Sequence, residues 1–232
     1  KEYRRQRQMC IRDRLFSRAL LDACQLAGAD VRFNTLVIAL QADGNRIRCA
    51  DTTEGTLTAD AFVLSFGVYS PHLVRSLGMT LPVYPVKGYS VTLPVRSGDE
   101  PPSLGGVDED NLFAYCPMGS RLRLTATAEI SGYDTSHKPK DFRQMMLLAH
   151  QLLPNAADYS KPTFWAGLRP MTPTGLPLID RTDFNNLWLN TGHGHMGWTM
   201  SCGSARITAD LIGQRQTAIP REGMTFDYGR QR

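Results

Sequence analysis

Residues 192–197 read Gly-His-Gly-His-Met-Gly, between a strand-like run that ends at Asn190 and a helix-like run that begins at Trp198. The stretch matches the G-x-G-x-x-G fingerprint of a dinucleotide-binding βαβ unit, which needs a second strand and an acid about 20 positions later. The next acid, Asp210, falls inside the predicted helix, and no second strand follows it. A glycine loop that opens a helix still presents backbone N–H groups and a positive dipole end. We therefore expect residues 192–197 to face the electron-rich edge of a cofactor.

The charge distribution excludes a nucleic-acid-binding face on the folded body. The net charge of the 232 residues is +4, and residues 1–14 alone carry six Lys or Arg against two Asp or Glu. The rest of the chain is therefore neutral overall and shows no basic cluster. We interpret residues 1–14 as a disordered or non-native leader, because their composition changes abruptly at Leu15.

The cysteines and the hydropathy pattern indicate a cytoplasmic protein. Five cysteines are scattered along the chain without a C-x-x-C pair, which favours reduced thiols over a disulfide framework. No apolar run approaches the roughly 20 residues that span a bilayer. We expect no transmembrane segment and leave peripheral contact with the inner membrane open.

The order of predicted elements indicates an α/β (α+β) chain of two interleaved domains. A helix is predicted over 15–27, and strands over 31–40, 46–50 and 56–66, the last ending in the apolar run 62–66 of a buried parallel strand. Strands over 83–95, 111–116 and 121–130 and a helix over 139–153 suggest an inserted domain of antiparallel strands. Strands over 163–168 and 187–190 and a helix over 198–212 follow. We expect one domain over 15–81 and 161–220, a second over 82–160, and a polar tail over 221–232.

Arg169 is the candidate anion-binding residue. It ends a predicted strand, and Pro170 holds its backbone extended. A rigidly presented guanidinium suits bidentate binding of a carboxylate, although a solvated surface arginine is an equally good reading of the residue alone. Because Arg169 and the 192–197 loop follow neighbouring strands, we expect them to meet at one edge of a sheet.

Other reactive side chains carry weaker signals. His193 and His195 lack a third ligand at a metal-binding spacing, so we predict no metal. Ser201 and Ser204 lie in a predicted helix without a nucleophile elbow, and hydrolysis by a serine nucleophile is unsupported.

Five segments together resemble the FAD-dependent D-amino acid oxidase-like superfamily, and within it the small subunits of bacterial D-amino acid dehydrogenases. The resemblance covers roughly residues 15–220. Its most telling segments are Phe33-Asn34-Thr35, residues 65–70 (Ser-Phe-Gly-Val-Tyr-Ser), residues 82–90 (Pro-Val-Tyr-Pro-Val-Lys-Gly-Tyr-Ser), residues 167–172 and residues 190–203.

The resemblance implies a partial FAD-binding domain with an inserted antiparallel-sheet substrate domain. It implies that Arg169 grips the substrate carboxylate and orients the α-hydrogen for hydride transfer to flavin N5. Tyr89 and Tyr115 are candidates for the pocket wall, and ordinary half-buried sheet tyrosines are as good a reading. The cofactor residues that the resemblance implies are Val37, Ser65, Phe66, Gly67, Gly192, His193, Gly194, His195, Met196, Gly197, Trp198 and Thr199.

The family begins with an N-terminal glycine fingerprint for the ADP part of FAD, and residues 1–14 do not supply one. We therefore expect the chain to be the C-terminal portion of a longer enzyme that converts D-amino acids to 2-oxo acids and ammonia. The electron acceptor, a quinone, the respiratory chain or oxygen, stays open. An amine oxidase acting on glycine or sarcosine and a non-catalytic domain without cofactor are the alternatives.

Overall fold

The computed structural model describes residues 13–226, and most of the predicted leader, residues 1–12, lies outside them, as do residues 227–232. The described residues form a mixed α/β fold, as predicted. Its α-helices are α1 (Asp13–Leu26), α2 (Ser70–Arg75), α3 (Arg143–Leu152) and α4 (Gly197–Ile212). Its strands are β1 (Val37–Asp43), β2 (Arg46–Thr52), β3 (Gly55–Leu57), β4 (Phe62–Leu64), β5 (Tyr84–Pro94), β6 (Gly106–Asp108), β7 (Phe113–Pro117), β8 (Arg121–Glu129), β9 (Thr163–Met171), β10 (Leu178–Arg181) and β11 (Leu187–Thr191).

The described residues divide into two compact units. Residues 13–31 and 86–168 form the first unit, and residues 32–85 and 169–226 form the second. The second unit is therefore built from two stretches of chain that flank most of the first. Helix α1 groups with the first unit, whereas we expected residues 15–81 to share a domain with 161–220. The domain limits from sequence stay a prediction.

The first unit is a five-stranded sheet in the order β6-β7-β8-β5-β9. The pairs β6–β7, β7–β8 and β8–β5 are antiparallel. Alternate residues of β5, β7 and β8 point to one face, where they pack with Phe142 and Met145 in an apolar core. Each fully buried leucine or phenylalanine of this kind stabilises the fold by about 1.5–3 kcal/mol. The fully buried strand residues of this core are Val91, Leu93, Phe113, Leu122 and Leu124.

A bulge interrupts the pairing of β5 with β8. Lys87 pairs with Glu129 and Tyr89 with Ala126, so β8 has one residue more than β5 between these pairs. Thr127 lies in the bulge with a φ of 70°, which is the left-handed region. A bulge of this kind bends a strand and redirects its side chains, and here it accompanies the approach of Glu129 to Tyr89.

The second unit contains two three-stranded sheets, β1-β2-β3 and β10-β11-β4. In the latter, β4 runs parallel to β11 and β10 runs antiparallel to it. Leu64, Leu187 and Leu189 pack with Ile47 and Val74 in one apolar core. Helix α4 contacts β10 and β11 and buries Ile207.

Asn186 joins the two sheets of the second unit. Its side-chain amide donates to the carbonyl oxygen of Ile47 at 2.9 Å, and its amide oxygen accepts from the N–H of Ile47 at 2.8 Å. Its own carbonyl oxygen accepts from the N–H of Phe62. One buried side chain thus imitates a neighbouring strand and satisfies backbone groups that burial would otherwise penalise.

Several predicted elements differ from the observed ones for identifiable reasons. The strand predicted over 31–40 begins only at Val37, because Asn34 adopts a left-handed conformation with a φ of 57°. The strand predicted over 56–66 is two short strands, because the chain leaves one sheet and enters the other.

The end of the described chain also differs from the polar tail that we expected from residue 221. The carbonyl oxygen of Met224 accepts a hydrogen bond from the N–H of Ile179. Arg221 forms an ion pair of 2.9 Å with Asp180, and Phe226 is buried in the core of the second unit. Residues 221–226 therefore form part of the packed unit.

Candidate active site

Three segments of the second unit meet at the ends of its strands. The N–H of Gly194 donates to the carbonyl oxygen of Pro170 at 2.9 Å, which brings the 192–197 loop against the segment that carries Arg169. The hydroxyl of Thr191 donates to the carbonyl oxygen of Gly67 at 3.2 Å. The structure therefore brings together the arginine segment, the glycine loop and the turn after β4. The expected route to this meeting was wrong, because β9 belongs to the five-stranded sheet and β11 to the sheet β10-β11-β4, so the two are not neighbouring strands.

The glycine loop approaches residues 171 and 172 too closely for side chains. Gly192 has a φ of 76°, and a Cβ at this position would lie 2.7 Å from Cγ2 of Thr172. Gly194 has a φ of 56°, and its Cβ would lie 3.1 Å from the sulfur of Met171. Both positions combine a left-handed backbone with a close contact, which only glycine accommodates without strain.

The loop delivers its C-terminal end to the N-terminus of α4. The N-cap residue is Met196, whose thioether makes no capping hydrogen bond, and the N–H of Met200 begins the helical pattern by donating to the Met196 carbonyl. A helix of 16 residues places a partial positive charge at this end. His195, Met196, Trp198 and Thr199 are exposed around it. The arrangement is suited to an anionic or electron-rich ligand.

His193 lies differently from the other residues of the loop. Its Nε2 is 2.9 Å from the hydroxyl oxygen of Ser204, a buried residue in the second turn of α4. Burial lowers the pKa of the His193 imidazole, so the neutral ring is favoured at neutral pH. The side chain is thus hydrogen-bonded to the helix of its own unit.

A buried pair of hydroxyls fixes the turn after β4. Ser70 and Thr191 lie 2.9 Å apart with almost no exposure, and Thr191 also donates to Gly67. Ser65 and Phe66 are exposed just before this turn, and Gly67 is half-buried with a φ of 54°. Sequence reasoning missed the hydroxyl pair, although a threonine at a core-facing position of the Leu-Trp-Leu-Asn-Thr strand is a usable signal.

Val37 lies at the start of β1, where its half-buried side chain packs against the core of the second unit. A ligand contact of Val37 would therefore involve its backbone, as the resemblance implies.

Arg169 lies in β9, which continues through Pro170 to Met171. A proline is tolerated there because β9 is an edge strand of its sheet. The arginine is half-buried, and burial lowers the pKa of its guanidinium. The group remains charged nevertheless, because a guanidinium cannot be deprotonated in a protein. A partly desolvated cation binds a carboxylate more strongly than one in bulk water does.

Tyr89 and Tyr115 belong to the first unit and face its apolar core. Tyr89 is 4% exposed, stands edge-on to Phe142 with ring centroids 5.1 Å apart, and donates its hydroxyl to the carboxylate of Glu129. That hydrogen bond and burial raise the pKa of Tyr89. Tyr115 packs beside Phe113 with ring centroids 6.4 Å apart. The packing is that of structural sheet tyrosines, and a role in a pocket wall stays a prediction.

Among residues 13–226, no group of three His, Cys, Asp or Glu side chains is placed to hold a metal ion. Within the same part of the chain, no helix has the length and apolar character to cross a bilayer.

Comparison with known proteins gives the chain a family. Residues 4–211 match the family DAO, described as FAD dependent oxidoreductase. D-amino acid dehydrogenase 2 of Mesorhizobium japonicum is 46% identical over 204 residues, which are 88% of this chain and 49% of that protein. D-amino acid dehydrogenase of Paramagnetospirillum magneticum is 43% identical over 212 residues, which are 91% of this chain and 50% of that protein. The chain thus spans about half the length of these relatives.

Solved structures show the same fold. Glycine oxidase from Geobacillus kaustophilus has a TM-score of 0.79 at 27% identity, covering 90% of this chain and 56% of the other. Iminodiacetate oxidase from Chelativorans sp. has a TM-score of 0.81 at 20% identity, covering 91% and 57%, and this likeness concerns the fold alone. With the family match over most of its length and relatives above 40% identity, the chain belongs to the DAO family of FAD-dependent oxidoreductases.

Proposed function

We propose that the protein oxidises D-amino acids, with FAD as cofactor, to 2-oxo acids and ammonia. The observation that carries the proposal is the hydrogen bond from Gly194 to Pro170, which holds the glycine loop directly beside the Arg169 segment. A cofactor-binding element and a carboxylate-binding cation at one place are what such a reaction requires. The relatives named D-amino acid dehydrogenase support this choice of substrate.

The residues around the loop fit a flavin. The N-terminus of α4 offers N–H donors and a positive dipole end that suit the electron-rich pyrimidine edge of the ring. Exposed Phe66, Met196 and Trp198 provide apolar surface in the same unit. In this proposal residues 65–67 and 192–199 hold the cofactor, with Val37 contributing its backbone. When bound, FAD supplies the oxidant for the Cα–H bond of the substrate.

Arg169 in this proposal binds the substrate carboxylate. Its guanidinium is half-buried, and Pro170 limits the backbone freedom of the residue. A bidentate ion pair with a carboxylate fixes both the position and the orientation of an amino acid, which can supply several kcal/mol of the barrier reduction. Orientation of the Cα–H bond for hydride transfer follows from that docking. Tyr89 and Tyr115 are the remaining candidates for the wall of the substrate pocket.

A second candidate is an oxidase that acts on glycine or sarcosine and passes electrons to oxygen. The likeness to a glycine oxidase at 27% identity favours it. The two candidates share the FAD cofactor and the binding of the substrate carboxylate by Arg169. They differ in the substrate and in the electron acceptor. For the dehydrogenase, the acceptor is proposed to be a quinone or another component of the respiratory chain.

The purified holoprotein tests the proposal by its visible flavin absorbance. Under anaerobic conditions, D-alanine should bleach the absorbance, whereas L-alanine, the matched control, should leave it unchanged. Bleaching by glycine or sarcosine with peroxide formation in air would favour the second candidate. A protein that contains flavin but is bleached by none of these compounds would contradict both, and a colourless protein would support a non-catalytic domain.

A further inference from the structure

The contact between His193 and Ser204 involves neither Arg169, the proposed carboxylate-binding residue, nor the first turn of α4. The imidazole Nε2 lies 2.9 Å from the Ser204 hydroxyl oxygen. Ser204 is 4% exposed, and its carbonyl oxygen accepts from the hydroxyl of Thr208 one turn later. The loop is thereby tied to the body of α4, well beyond the first turn at which a ligand would sit.

The first residue of α4 leaves room for this contact. A Cβ on Gly197 would lie 3.1 Å from Cβ of His193. A side chain at position 197 would therefore require His193 to shift by a few tenths of an ångström. The absence of a side chain here is explained by packing of His193, and it requires no left-handed conformation, since Gly197 is not among the positive-φ glycines.

The backbone around His193 is held by hydrogen bonds of the loop. The Gly194 N–H donates to Pro170, and the Met196 N–H donates to the carbonyl oxygen of His193 at 3.2 Å. Gly192 and Gly194, which flank the histidine, both adopt positive φ. Glycines lose more conformational entropy than other residues when a loop becomes ordered. A side-chain hydrogen bond, such as that of His193, helps to offset this cost in the 192–197 loop.

We propose that His193 is a positioning residue, whose imidazole, through the Ser204 hydroxyl, holds the 192–197 loop against α4 in the conformation that binds the cofactor. The inference rests on the proposed function. It gives His193 a role different from a direct side-chain contact with the flavin. Loss of the pair should loosen the loop and weaken FAD binding, while substrate docking at Arg169 is kept once FAD is bound.

A double-mutant cycle with FAD affinity as readout tests this role in the purified protein. Ser204→Ala and His193→Leu should each raise the FAD dissociation constant about five- to tenfold, since one net hydrogen bond contributes about a factor of five. The double variant should bind FAD no more weakly than the weaker single variant, because both changes remove the same contact. His193→Gln, which keeps a polar group near the Nε2 position, should recover most of the affinity.

Ser201→Ala is the matched control, because Ser201 lies on the same helix and its hydroxyl donates to the carbonyl of Trp198 within that helix. It should bind FAD as the unsubstituted protein does. Hydrogen exchange of apoprotein should show faster exchange of the 192–197 amides in Ser204→Ala than in Ser201→Ala. This second readout does not depend on the cofactor.

The outcomes separate the two proposals. If the unsubstituted protein binds FAD and Ser204→Ala equals Ser201→Ala in affinity and exchange, the positioning role is wrong and the proposed function stands. Effects of the two single changes that multiply in the double variant would also contradict it. If the unsubstituted protein binds no FAD, the proposed function fails, and the role of His193 toward a cofactor fails with it.

Discussion

The N–H of Gly194 and the carbonyl oxygen of Pro170 are joined by a hydrogen bond of 2.9 Å, although 24 positions separate them in the sequence. This bond sets the glycine loop beside the residue that follows Arg169. The backbone that carries Arg169 and the loop that leads into α4 are thus joined within the second unit.

Replacement of Arg169 should impair substrate binding and spare the cofactor. We expect Arg169→Leu to raise KM for D-alanine on the order of a hundredfold, because the variant loses a charge-assisted hydrogen bond worth about 1.5–3 kcal/mol. Flavin content should not change. The matched control is Arg181→Leu, which removes an exposed arginine of β10. Steady-state kinetics check this, and an unchanged KM would remove Arg169 from the carboxylate role.

Gly192→Ala should damage the site more than its backbone strain alone predicts. The new Cβ would lie 2.7 Å from Cγ2 of Thr172, in addition to a φ of 76°. Gly78→Ala is the control, because Gly78 has a φ of 73° and nothing within 4 Å of a Cβ. The control should lose about 1–2 kcal/mol of unfolding free energy. Gly192→Ala should lose more and also bind FAD more weakly; equal losses in urea unfolding would contradict the role of the contact.

Asn186→Ala should destabilise the second unit on the order of 3 kcal/mol, because both backbone groups of Ile47 would be buried without partners. Asn185→Ala is the neighbouring control. Asn185 is exposed, and it is its backbone N–H that bonds to Asn45. The two variants should therefore differ clearly in denaturant midpoint, and similar midpoints would show that the Asn186 amide is dispensable.

The carboxylate of Asp210 should make stability depend on pH in the acid range. Hydrogen bonds from Arg206 at 2.8 Å and from Arg215 at 2.9 Å hold the pKa of this buried group below its ordinary value of 3.8. A lowered pKa means that the stabilisation is complete above the ordinary value and is lost as pH falls through the lowered one.

We therefore expect Asp210→Asn to be less stable than the unsubstituted protein at neutral pH, with the difference shrinking below pH 3.8. Melting temperatures measured across this range check the prediction. Asp43→Asn, a change at an exposed carboxylate of β1, serves as control and should keep the melting curve of the unsubstituted protein. A difference for Asp210→Asn that is constant with pH would contradict the assigned cause.

Sequence patterns predicted the elements that periodicity marks and missed those that tertiary pairing creates. Alternation identified β5 and β8, and helical spacing identified α1 and α4. The strands β6 and β10 have three and four residues, too few to show a period. The start of the strand predicted over 31–40 depends on the left-handed backbone of Asn34, which its residue type permits but does not require.

The candidate site was predictable only in part. The sequence predicted that the Arg169 segment and the glycine loop lie close together, but on the assumption that both follow neighbouring strands of one sheet. Arg169 instead lies within β9, and β9 and β11 belong to different sheets, which single-strand patterns do not reveal. The contact of His193 with Ser204 could not be predicted, because a buried hydroxyl and a small apolar residue occupy similar volumes and the sequence does not tell which hydrogen bond forms. The packing of Tyr89 and Tyr115 in the core of the first unit was not predictable either, because alternation along a strand does not tell which of its two faces is packed.

The amide of Asn186 bonds to Ile47, 139 positions earlier in the sequence. During synthesis, β2 can pair with β1 and β3 early, whereas β4 pairs with β11 only after residues 187–189 have been made. The five-stranded sheet between them can form meanwhile, because its contacts are closer along the chain. Contacts between distant positions are closed late and slowly, so the half of the molecule that carries the glycine loop is expected to be the last to acquire its native structure and the first to need protection from misfolding.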